Sequence, residues 1–89
     1  MRDLTTSETL QLGIETARAG LPGVARQHLT TVLEEQPDNI PALLWLAYLA
    51  PNPQDSLRLL NRVLTLDPTN EGAKAGIHWA RRRVALGPG

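Results

Sequence analysis

The chain has no cysteine and no phenylalanine, a single methionine, and three aromatic residues in 89: Trp45, Tyr48 and Trp79. Without cysteine there is neither a disulfide framework nor a thiolate zinc site. Net charge is also missing, because nine Lys and Arg balance nine Asp and Glu. The chain as a whole therefore exerts no pull on nucleic acid or anionic lipid, and neither is expected as a partner. The longest apolar run, Ala42 to Ala50, is nine residues, whereas a membrane span needs about 20. The start, Met1-Arg2-Asp3-Leu4-Thr5-Thr6-Ser7-Glu8, lacks the apolar segment of a secretory signal. A soluble, cytoplasmic chain is expected, either whole or as a domain of a larger protein.

Catalytic groupings are lacking too. There is no glycine-rich phosphate loop, no serine nucleophile elbow and no HExxH spacing. His28 and His78 lie fifty residues apart with no clustered carboxylates beside them. A metal needs three or four convergent ligands, so packed or solvated histidines are expected and no metal or cofactor. Glu34-Glu35 reads as the solvated end of a helix rather than an acid/base pair. A chain of this length has room for one core and none for a deep cleft beside it. It is not expected to be an enzyme.

Proline and glycine cut the rest into five segments with helical spacing. The first opens at Thr5 with Glu8 at capping-box distance. It places Leu10, Ile14 and Ala17 on one stripe with Gly13 facing elsewhere, and stops at Ala19-Gly20. The second begins at Pro22, carries Ala25, Leu29, Val32 and Leu33, and ends at Pro37. The third, Ile40 to Leu49 behind Asp38 or Asn39 as N-cap, is apolar on nearly every face, which marks a helix covered on both sides. The fourth starts at Asn52-Pro53, with Leu57, Leu60, Val63 and Leu64 inward. The fifth runs from about Asn70 to Leu86 on Ala73, Ile77, Ala80 and Val84. Gly87-Pro88-Gly89 reads as a stop and a linker, giving one domain over 1–86 and a tail at 87–89.

Two further patterns stand out. Charge is uneven: residues 1–70 hold five basic and eight acidic side chains (net −3), whereas 71–89 hold Lys74, Arg81, Arg82 and Arg83 against Glu71 (net +3). In addition, residues 25–47 repeat in 56–78 at an offset of 31. Ala25 matches Ser56, Leu29 matches Leu60, Val32-Leu33 matches Val63-Leu64, Pro37 matches Pro68, Asn39 matches Asn70 and Ala42 matches Ala73. Such units are helix hairpins that bury their faces by stacking, which makes an α-solenoid.

At these residues the chain resembles the tetratricopeptide repeat (TPR) family. The first unit carries Leu12-Gly13, Gly20, Ala25, Leu29, Val32 and Pro37 at the family's spacing. The second carries Ala42, Leu46-Ala47, Ser56, Leu60, Val63 and Pro68, three residues shorter between its helices. Half a third unit follows with Ala73 and Ile77-His78. The family's aromatic packing positions are leucine or threonine here, and Val32 and Val63 stand where it has small alanines. The resemblance spans nearly the whole chain and implies an all-α fold, a five-helix right-handed solenoid of TPR-like hairpins. A looser likeness is to short helical modules attached to larger bacterial signalling or envelope proteins.

The resemblance also implies a function class, a scaffold or adaptor whose first helices line a concave groove for an extended peptide or helix. The groove positions are Leu10, Ile14 and Arg18, then Leu44 and Tyr48, then Ala75, Trp79 and Arg82. The family's clamp for a terminal carboxylate is absent, since its positions are Leu10, Ile14, Tyr48, Gly72 and Gly76. Aromatic and arginine side chains dominate binding hot spots, and aromatics beside a basic edge suit an acidic or amphipathic peptide. The competing readings are structural. Trp45 reads better as core, Tyr48 and Trp79 serve either role, and Arg81-Arg82-Arg83 suit the negative end of a helix dipole at about 0.3–1 kcal/mol each. A homodimer built on an exposed solenoid end, and a passive spacer or regulatory domain of a larger, membrane-anchored protein, are the alternative functions.

Overall fold

A computed structural model describes residues 4–86 and folds them into five helices, with no strand among those residues. They are α1 (Thr6–Arg18), α2 (Pro22–Glu35), α3 (Ile40–Leu49), α4 (Pro53–Leu66) and α5 (Glu71–Ala85). The Gly87-Pro88-Gly89 linker expected from sequence lies outside the described residues. No described helix is long and apolar enough to cross a membrane.

Each boundary has a chemical cause. Thr5 and Glu8 close a reciprocal capping box at the start of α1, at 3.1 and 3.0 Å. Gly20, at φ +80°, ends that helix. The Gly20 N–H bonds the Ala17 carbonyl and the Leu21 N–H bonds that of Thr16, a full Schellman closure. Pro22 occupies the first turn of α2, where its missing N–H removes nothing. Asn39, Asn52 and Asn70 cap α3, α4 and α5, their side-chain oxygens accepting from Ala42, Asp55 and Ala73 at 2.8–2.9 Å.

The offset of 31 is a structural repeat at these turns. The Gln36 and Asp67 N–H groups both bond a valine carbonyl at 2.7 Å, Val32 and Val63 respectively. Asn39 and Asn70 then bond back to Gln36 and Asp67 and cap the following helix. The matched pairs are also buried alike, with Ala25, Leu29, Val32 and Ala42 corresponding to Ser56, Leu60, Val63 and Ala73. Ser56 takes the small-residue position without an orphaned hydroxyl, because its Oγ donates to the Ala47 carbonyl at 2.9 Å and ties α4 to α3.

Helices pack in sequence order, each on the next, and α3 additionally meets both α1 and α5. The pairs α2–α4 and α1–α5 never come within 8 Å, Cα to Cα. The described chain is accordingly elongated, 51 × 27 × 17 Å. Two apolar clusters share α3. Ala42 joins Leu29 and Val32 on the α2 side, with Trp45, Leu46 and Leu49 packed against them. Leu43 and Ala47 join Leu60, Val63, Ala73 and Ile77 on the other side. The reading of α3 as covered on both sides holds.

Two stripe assignments change. In α1 the buried residues are Thr9 and Gly13, whereas Leu10, Ile14 and Ala17 are only half-buried. Gly13 faces inward because α2 crosses there at close range. A Cβ on Gly13 would stand 2.8 Å from Leu29 Cδ2 and 2.9 Å from its Cγ. In α5 burial stops at Ala80, and Val84 is exposed, since no described element follows to cover the last turn.

Asn39→Ala and Asn70→Ala should each cost about 1 kcal/mol. The two losses should agree closely in urea melts, with unchanged m-values, because the turns are copies. Gly13→Ala should destabilise by about 1 kcal/mol, as overpacking against the fully buried Leu29 (about 1–3 kcal/mol) outweighs the roughly 1 kcal/mol gain in helix propensity. A rise in thermal midpoint for Gly13→Ala would show that the α1–α2 crossing is loose.

Candidate functional site: the groove between α1, α3 and α5

Because α1 and α5 flank α3 without approaching each other, a strip of α3 stays uncovered. A groove of ≈ 490 Å³ follows that strip. Its floor is Leu44, Trp45, Ala47 and Tyr48 of α3 with Ser56 and Leu60 of α4. Ala17 and Arg18 wall it from α1, and Gly72, Gly76 and Trp79 from α5. Gly76 sets the depth of the α5 wall. A Cβ there would meet Leu60 Cδ1 at 2.9 Å, so the bare backbone lets α5 close on α4.

All three aromatics of the chain border this groove. Tyr48 is 78% exposed and Trp79 55%, while Trp45 is half-buried. Trp45 serves two surroundings, since it packs against the Leu29–Val32–Ala42 cluster and also lines the groove. Tyr48 stands edge-on to it, ring centroids 5.9 Å apart and planes at 74°, a favoured aromatic geometry. Two guanidiniums lie over the indoles, Arg18 at 5.9 Å from the Trp45 centroid and Arg83 at 4.8 Å from that of Trp79. Each such contact is worth about 0.5–1 kcal/mol at exposed sites. No carboxylate lines the groove among the described residues.

Of the eight residues expected at a groove, Arg18, Leu44, Tyr48 and Trp79 meet in this one. Leu10 instead packs against the Leu29–Val32–Ala42 cluster. Ile14 is half-buried outside the lining, and Ala75 and Arg82 are exposed outside it. The lining residues that sequence reasoning missed are mostly small. Ala17, Ala47 and Ser56 read in the sequence as packing positions, and Gly72 and Gly76 only as places where the family's clamp is missing, so none signalled a groove surface. Arg83, rather than Arg82, meets an aromatic ring, by its spacing of four residues from Trp79.

Comparison with known proteins adds no identification. No family model, curated protein or solved structure gives a significant match to the chain. Among the described residues no group of three or more His, Cys, Asp or Glu side chains could hold a metal ion.

Tyr48 and Trp45 should separate in a stability assay. Tyr48→Ala, at an exposed position, should change unfolding free energy by no more than about 0.5 kcal/mol. Trp45→Ala removes half-buried area beside the core and should cost about 2 kcal/mol. Equal losses in chemical denaturation would mean that Tyr48 is a structural residue.

Proposed function

We propose that the chain is a divergent TPR-like interaction module, a right-handed stack of helix hairpins that docks a peptide or helix of another protein and performs no catalysis. The observation that carries this reading is the exposed pair Tyr48 and Trp79, facing one groove with Trp45 in its floor. Exposed large aromatics are costly to leave in water, and their collection at one concave site favours use over chance. Two features support the TPR-like stacking. The hairpin repeat recurs in capping, turn and burial, and α3 meets both α1 and α5 while α2 and α4 stay apart. The mechanism would be preorganised docking, with helices that are already rigid lowering the ordering cost of binding.

Self-association through the C-terminal end has some support in exposed Val84 and Leu86. The repeat offset counts against it. Leu43 and Ala47, which α3 buries against α4, correspond in α5 to Lys74 and His78, both exposed. The face on which a further helix would stack is therefore polar, as expected of a terminal cap.

Affinity capture from a lysate of the source organism, with the intact chain beside a Tyr48→Ala/Trp79→Ala double variant, tests the docking reading. A protein should be retained by the first and lost from the second, with circular dichroism unchanged between them. Retention by both would move the site out of this groove. Capture of nothing specific by either protein, together with concentration-dependent light scattering, would favour the homodimer.

A further inference from the structure

On the reading that the groove docks a partner, we infer that its occupant is an internal acidic segment of another protein, a bulky apolar side chain flanked on both sides by carboxylates. The charge distribution carries this. Among the described residues Arg18, on the α1 wall, is the only charged residue in the lining, and Arg83, outside the lining, has its guanidinium over the lining residue Trp79 of α5. The two cations thus stand on elements that do not approach within 8 Å of each other, with the apolar floor between them. A guanidinium laid on a ring face keeps its N–H edges outward, where the planar fork accepts a carboxylate in bidentate fashion. The Trp79 indole, its centroid 4.8 Å from the Arg83 guanidinium carbon, holds that cation beside a groove-lining residue before any ligand arrives.

The floor supplies the apolar half of the specification. Leu44 and Leu60 are the large aliphatics there, and the α5 wall is bare backbone at Gly72 and Gly76. A Cβ on Gly72 would already be in van der Waals contact, 3.4 Å from Asn70 Oδ1 and 3.8 Å from Leu44 Cδ2, so the bare backbone is what keeps the wall low beside Leu44. A basic segment would meet two arginines and no acid. Residues 71–89, at net +3, would oppose it further. A chain-terminal carboxylate needs several donors gathered at one end, and here the cations sit on opposite walls.

A phage-displayed random dodecapeptide library, selected on the intact chain, tests the inference directly. The enriched segments should carry Leu, Ile, Phe or Trp between Asp or Glu residues. Synthetic copies should bind about tenfold more weakly to an Arg18→Gln/Arg83→Gln variant. Their affinity should also fall as NaCl rises from about 0.05 to 0.5 M, which shortens the screening length. Tyr48→Ala/Trp79→Ala should weaken the same peptides. Neutral or basic winners that are lost with the aromatic pair but indifferent to the arginine pair would overturn the acidic occupant and leave the groove standing. Winners indifferent to both pairs, or no enrichment above background, would sink the groove reading and the inference together.

Discussion

Everything in this fold depends on covering α3. Its ten residues, Ile40–Leu49, include no charged side chain, and its only polar side-chain groups are the Trp45 indole N–H and the Tyr48 hydroxyl. A helix that short is marginal alone in water, so it exists because neighbours bury it. The other four helices each touch it, and the two apolar clusters lie on its two sides. A tight fit also needs small residues at the crossings: Ala42, Ala47 and Ala73 are buried, and Ser56 replaces alanine by bonding inward to Ala47. The groove is what this arrangement leaves over. Four helices around one cannot close completely when α1 and α5 lie apart, and the uncovered strip is Leu44, Trp45 and Tyr48.

The parts legible in the sequence are those fixed by local chemistry. Prolines at the first helical positions, asparagine caps and a left-handed glycine act within a few residues of themselves, so their spacing alone located the five helices. The 31-residue repeat was legible for the same reason, because its turn is built from neighbours, from Gln36 to Asn39 and from Asp67 to Asn70. Helix orientation was less readable. Gly13 has no hydropathy to weigh, yet it decides which side of α1 meets Leu29, and the apparent stripe of Leu10, Ile14 and Ala17 is set to one side of the true contact. Half of the expected groove residues fell outside the lining for a related cause. Positions transferred by spacing assume a standard rotation of each helix, and the close crossings at Gly13 and Gly76 set the rotation here.

The two sides of α5 follow from the same repeat. Moving from α3 to α5 by 31 residues turns Leu43 into Lys74, Ala47 into His78 and Leu44 into Ala75. The side that packs on α3 and α4 keeps its apolar character through Ala73, Ile77 and Ala80, while Lys74 and His78 on the other side are polar and exposed. One helix thereby presents an inner, buried side continuous with the core and an outer side compatible with water. Val84 and Leu86 escape that rule only because they lie in the final turn, past the last buried position.

The same offset places Trp79 where α3 has Tyr48, and here the pattern runs against the demands of stability. Both are among the most exposed large apolar residues of the chain, in a protein that has no phenylalanine and fills its core with leucine, valine and alanine. A small core with only three aromatics available would gain most by burying them, since each can remove about 150–250 Å² from water. Instead the buried volume is aliphatic, Trp45 is only half-covered, and the other two rings stand in the open with cations beside the indoles. Packing explains the alanines and leucines. It does not explain this repeated outward aromatic, whose cost in water is offset once a second surface lies against it.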